Sequence, residues 1–140
     1  MVYRLALLGF GNVGRAFARL LQRKETELES EYGINFIVTG IATGRHGNAI
    51  DPNGLDLNKA IALVEGNRSL SLITQIPIDP FTNLPISDSL NFVRSVAADV
   101  LFENSPVNHV DGEPAVTHLR TALERGMHAI TANRGPVVHA

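Results

Sequence analysis

The stretch LLGFGNVGRAF, residues 7–17, places glycines at 9, 11 and 14 between an apolar run and a helix-like pattern. No other feature of the chain constrains its fold as strongly. Upstream, VYRLALL at 2–8 is short and mostly apolar, as expected of a parallel strand covered on both faces. Downstream, no proline occurs from Asn12 to about Ser30. Val13, Phe17, Leu20 and Leu21 recur there at helical spacing, with Arg15, Arg19, Gln22 and Arg23 facing elsewhere. Gly33 breaks the pattern, and INFIVTGIA at 34–42 returns to a β-branched run. The opening therefore predicts a βαβ unit with parallel strands and a right-handed crossover.

In that setting each glycine has its own task. Gly9 allows a tight turn, Gly11 lets a diphosphate approach the backbone, and Gly14 lets the helix pack closely on the sheet. The helix N-terminus then aims free N–H groups and a partial positive charge at the anion. A purely structural turn is the competing reading, and the flanking strand and helix favour dinucleotide binding over it.

The end of the second strand bears on which dinucleotide. An acidic residue there can hold a ribose 2′-hydroxyl, whereas a nearby arginine can accept a 2′-phosphate. ATGRHGN at 42–48 offers Thr43 and Arg45, with no Asp or Glu before Asp51. This leans towards NADP, or towards tolerance of both NADP and NAD. The other reading of Arg45 is a solvated loop residue.

Further along, NGLDLNKAIALVEG (53–66) predicts a helix with Asp56 near its start. SLSLITQIPIDPFTNLP (69–85) carries three prolines and reads as loop or short edge strand. SDSLNFVRSV (87–96) suits a helix capped by Ser87 or Asp88, and DVLFEN (99–104) a buried strand. GEPAVTHLRTALERG (112–126) predicts a helix with Pro114 in its first turn and Gly126 as its stop, and MHAITAN (127–133) a further strand. Strands alternating with helices imply an α/β fold, doubly wound, with a mainly parallel sheet and helices on both faces. At 140 residues, a single domain spanning 1–140 is expected.

FENSPVN (102–108) follows the later strand, where loops at the carboxyl ends of parallel strands line the ligand crevice. Asn104 and Ser105 are placed to hydrogen-bond ribose or nicotinamide, unless Asn-Ser-Pro merely turns the chain. Glu103 reads as a perturbed acid, an orienting partner or an exposed strand-end carboxylate, and is not taken as a catalytic acid. The histidines at 46, 109, 118, 128 and 139 show neither HExxH nor paired metal spacing, so no metal site is expected.

Bulk properties narrow the partners. Hydrophobic residues at 44% and charged residues at 19% are those of an ordinary globular chain. A net charge of −2 with scattered Lys and Arg offers no basic stripe for nucleic acid. The chain has no cysteine, which removes disulfides and thiolate chemistry and makes the cytoplasm the default compartment. No apolar run reaches the ~20 residues of a membrane span, and Met1 leads into VYRLALLG without signal-peptide features.

Three segments taken together, LLGFGNVGRAFARLL, GIATGRHG and LFENSPVNHVDGEPAVTHLRTALERGMHAITANRGPV, resemble the nucleotide-binding part of homoserine dehydrogenase. The block from Glu103 through GEPA to TANRGP is the most specific, and residues 50–95 contribute little. The resemblance implies a Rossmann-type domain of an enzyme of aspartate-derived amino-acid synthesis, leading to threonine and methionine. That enzyme reduces aspartate 4-semialdehyde, a small amino-acid aldehyde, to homoserine with NADH or NADPH. It implies that Gly9, Phe10, Gly11, Asn12, Val13 and Gly14 form the pyrophosphate loop. Asn104, Ser105 and Pro106 then lie near the nicotinamide, and Asn133 is a further cofactor-binding residue. Where the family usually has lysine in TANKGP, this chain has Arg134. Arginine retains the charge but does not readily shed a proton, so positioning survives there and proton transfer does not. The family's catalytic Asp and Lys and its dimerising region lie beyond this stretch. An isolated or truncated cofactor domain, inactive alone, is therefore expected, with homodimerisation left open. A cofactor domain of another NAD(P)-dependent oxidoreductase and a stand-alone nucleotide-sensing module are the alternatives.

Overall fold

The computed structural model describes residues 2–76, 88–104 and 113–131. The apolar run Val2–Leu8 forms β1, and Leu5, Ala6, Leu7 and Leu8 are all buried because this strand lies in the middle of a five-stranded sheet. Helix α1 spans Asn12–Tyr32 and stops at Gly33, whose φ of +65° is the left-handed conformation that glycine accepts without strain. The N–H groups of Gly33 and Ile34 cap the helix by donating to the carbonyls of Glu29 and Leu28. Strand β2, Asn35–Ala42, then pairs in parallel with β1.

After β2 the structure has an element that the sequence reading did not include. Residues 43–47 reverse the chain into a short antiparallel strand, β3 (Asn48–Ile50), which pairs with Gly40–Ala42. Gly47, at φ +72°, makes the reversal, and Ala49 and Ile50 are buried at 0% and 1% exposure. Helix α2, Leu57–Glu65, begins where Asp56 accepts a hydrogen bond from the Lys59 N–H at 3.2 Å. Asp56→Ala removes that cap and is expected to destabilise the fold by about 1 kcal/mol, read from the urea unfolding midpoint at unchanged slope. A single 3₁₀ turn at Leu70–Ile73 follows, where a loop or short edge strand was expected, and residues 77–85 of that segment lie outside the described residues.

Of the two caps expected for α3 (Ser89–Ser95), Asp88 serves, its carboxylate accepting the Asn91 N–H at 2.7 Å; Ser87 lies outside the described residues. Strand β4 covers Val100–Glu103, α4 Ala115–Glu124 and β5 His128–Thr131. Pro114 takes the N-cap position of α4 rather than a place inside its first turn, so its missing N–H removes no helical hydrogen bond.

The sheet order is β3-β2-β1-β4-β5, parallel except for β3. The alternation of β1 sorts its side chains onto two cores. Leu5 and Leu7 meet α1 and α2 on one face, and Ala6 and Leu8 share the other with Phe92 and Val93 of α3 and Ala122 of α4. This is the mainly parallel, doubly wound arrangement with helices on both faces.

Candidate functional site

Three strands end level at the carboxyl edge of the sheet. Leu8 is in register with Ala42 on one side and Glu103 on the other. The Gly9 N–H donates to the Ala42 carbonyl at 2.9 Å, and the Asn104 N–H donates to the Leu8 carbonyl at 2.7 Å. The loops beginning at Gly9, Thr43 and Asn104 therefore start side by side.

The three glycines of the first loop differ in the way their spacing requires. Gly9 has φ +99° and makes the turn. A Cβ on Gly14 would stand 2.4 Å from the Gly9 carbonyl oxygen, so helix and turn are in direct contact there. A Cβ on Gly11 would meet nothing within 4 Å. Gly11 thus faces open space at the start of α1. No side chain caps this helix end and no acid occupies its first turn. The first intrahelical bond runs from the Arg15 N–H to the Gly11 carbonyl at 2.9 Å, which leaves the N–H groups of Asn12, Val13 and Gly14 without a helical acceptor. Such an end attracts an anion through both its free donors and its dipole.

The remaining loop residues divide by what their side chains do. Phe10 is 3% exposed and belongs to the core, so only its backbone faces the loop. Asn12 and Val13 are exposed. The Thr43 hydroxyl is taken up by the β2–β3 turn: it donates to the Gly47 carbonyl and accepts the His46 N–H, each at 2.7 Å. Thr43 therefore shapes this loop with its hydroxyl. Arg45 stands exposed near the turn's tip and makes no hydrogen bond or ion pair among the described residues. His46 Nε2 lies 3.0 Å from Asn67 Oδ1 and ties the turn to the end of α2. Asn104 is partly buried beside Gly9, whereas Ser105, Pro106, Asn133 and Arg134 lie outside the described residues.

Glu103 is fully buried, and its Oε2 accepts the Thr131 hydroxyl at 2.7 Å. It is an orienting group that joins the ends of β4 and β5, not an exposed strand-end carboxylate. Buried His118 pairs through Nε2 with Ser89 Oγ at 2.8 Å, linking α3 to α4. Burial pushes its pKa down, against the opposing pull of Glu103, Glu113 and Asp88. Among the described residues its Nδ1 has no hydrogen-bond partner. Among the described residues no group of three or more His, Asp or Glu could hold a metal ion.

Arg15 takes a part that helical spacing did not foretell. Its Nη1 donates to the Phe10 carbonyl and its Nη2 to Asn12 Oδ1, both at 2.9 Å, so the guanidinium reaches back under the glycine loop. Its Nε lies 3.3 Å from Glu65 Oε2 at the end of α2, and Arg19 Nη2 holds both oxygens of the same carboxylate at 2.8 and 2.9 Å. Hydrogen bonding from Arg19, with the charges of Arg19 and Arg15, draws the Glu65 pKa below the usual carboxylate range. The one sequence signal was an arginine directly after the third glycine, close enough in a helix to reach the preceding turn.

No protein-family model matches the chain. It is 35% identical over 137 residues to the NAD(+)-dependent homoserine dehydrogenase of Pseudomonas canavaninivorans, covering 96% of this chain and 36% of that enzyme. It is also 35% identical over 133 residues to the homoserine dehydrogenase of Methanocaldococcus jannaschii, covering 95% of this chain and 37% of that one. Among solved structures, a hyperthermophilic archaeal homoserine dehydrogenase mutant in complex with NADPH superposes with a TM-score of 0.70 at 26% identity, over 98% of this chain and 37% of the other. The chain thus spans little more than a third of the length of the proteins it matches. Sequence and fold agree: the chain is a homologue of the homoserine dehydrogenases, and corresponds to a Rossmann-type portion of them.

Proposed function

We propose that the chain is the NAD(P)-binding part of a homoserine dehydrogenase, an enzyme that transfers hydride between NAD(P)H and aspartate 4-semialdehyde to give homoserine. The observation that carries this reading is the open approach to Gly11 at the uncapped start of α1, in a loop that leaves the sheet beside Asn104. A dinucleotide fits this backbone: its diphosphate takes the free N–H groups of Asn12, Val13 and Gly14, and its nicotinamide is assigned to Asn104 and, by the family resemblance, to Ser105 and Pro106. A relative named as NAD(+)-dependent and a structural neighbour solved with NADPH support the same ligand.

The bound cofactor supplies the hydride chemistry. This chain's residues hold and orient it, Asn133 being assigned to the cofactor by the family resemblance, and Arg134, where the family usually has lysine, keeping a positive charge there. The residues that bind the aldehyde belong to the remainder of the enzyme, so residues 1–140 form the cofactor domain and catalyse little or nothing alone. We assign the enzyme to the cytoplasm and to threonine and methionine synthesis, and its dimerisation to the part of the enzyme outside this chain.

Calorimetric titration with NADH and NADPH tests the assignment. Saturable binding of both is expected. Arg45, uncommitted and in the loop after β2, is placed for a ribose 2′-phosphate, so Arg45→Ala should weaken NADPH about tenfold and leave NADH within about twofold. Absence of binding to either dinucleotide by the folded chain would sink the reading.

A further inference from the structure

The geometry points to Arg15 as a positioning residue for the diphosphate site, held in place by Glu65 of α2; this rests on the cofactor reading above. Gly11 and Asn12 form an exposed turn after buried Phe10, and the glycine has no side chain to anchor it. The Arg15 guanidinium supplies that anchor from below. One arm takes the Phe10 carbonyl, the other Asn12 Oδ1, and the Nε edge faces the Glu65 carboxylate. A planar fork with its donors fixed relative to one another can meet all three groups at once, which a single ammonium cannot. The two bonds fall on either side of Gly11, so they fix the turn from which the free N–H groups of Asn12, Val13 and Gly14 point. Pre-ordered donors bind an anion more tightly than the same donors in a loop that must first be ordered.

Arg19 separates this role from a general charge effect. It carries the same charge, sits one turn further along α1 and shares Glu65, yet touches nothing in the loop. If the two arginines acted only through their field, removing either would weaken a dinucleotide alike.

The test compares Arg15→Met, Arg15→Lys, Arg19→Met and Asn12→Ala with the parent chain by two readouts. Exchange of the Gly9 amide, which is bonded to Ala42, reports loop order without any ligand. Titration with NADH reports the site. Faster Gly9 exchange and about tenfold weaker NADH binding are expected for Arg15→Met. Arg15→Lys should recover only part of both, Arg19→Met should stay within about twofold of the parent, and Asn12→Ala should lose about threefold through its one missing bond. Should Arg15→Met fail to fold, Asn12→Ala and Arg15→Lys carry the decision. Unchanged Gly9 exchange in the loop variants, or an equal loss from Arg19→Met, overturns the proposal. A loosened loop in a parent chain that binds no NADH removes the cofactor reading and leaves the positioning role standing.

Discussion

Gly14→Ala is expected to destabilise the fold by about 2 kcal/mol and to lower Tm by roughly 6–10 °C. The new methyl would lie 2.4 Å from the Gly9 carbonyl oxygen, where ordinary contact begins near 3.4 Å, and the opposing atom is backbone. Gly9 cannot easily retreat, because its N–H is bonded to Ala42 and its φ of +99° is already a special one. The start of α1 must therefore move off the sheet. Alanine also gains about 1 kcal/mol of helix propensity over glycine, so the clash has to exceed that gain for the sign to hold. Gly11→Ala provides the comparison within the same turn. Its methyl enters open space, so its stability should stay within about 0.5 kcal/mol of the parent. Equal thermal midpoints for the two variants would show that the close helix–turn contact has no energetic consequence.

That contrast explains why the start of the fold was legible. Glycine spacing translates directly into backbone geometry, and β1, α1 and β2 are bounded by Gly9 and Gly33, whose positive φ ends a regular element whatever else the chain does. The caps Asp56 and Asp88, the latter as one of two candidates with Ser87, were readable for a similar local reason: a carboxylate directly before a helical pattern accepts the N–H three residues on. Strand β3 was not readable. Three residues are too few to show a period of two, and what makes Asn48–Ile50 a strand is the free edge of β2 beside it, a tertiary circumstance.

The site was legible in its backbone and less so in its side chains. Phe10 lies between two glycines of a surface loop, yet its ring is drawn into the core, since an aromatic side chain next to a sheet buries more apolar area inward than it can outward. Thr43 follows a strand as a ribose-binding residue would, but a short hydroxyl side chain in a turn finds the local backbone first. Arg15 lay on the face read as pointing elsewhere. Its inward reach depends on Glu65, which arrives from a different helix, and no local periodicity contains that information.

Gly11→Val is the substitution with the largest expected effect on ligand binding and one of the smallest on the fold. Gly11 has φ −75° and ψ −155°, an extended conformation open to a β-branched residue, and its Cβ direction is empty, so the valine chain should melt within a few degrees of the parent. The same empty direction is where a diphosphate would approach the N–H groups of α1. Two methyl groups placed there keep the anion from donors that work only at about 3 Å. NADH and NADPH should both lose at least about a hundredfold in affinity, equivalent to about 2.7 kcal/mol, because the diphosphate is common to them. Arg45→Ala should instead separate the two cofactors, so the pair of variants assigns the two ends of the ligand independently. Undiminished NADH binding by a folded Gly11→Val chain would place the dinucleotide elsewhere and reduce the three glycines to a structural turn.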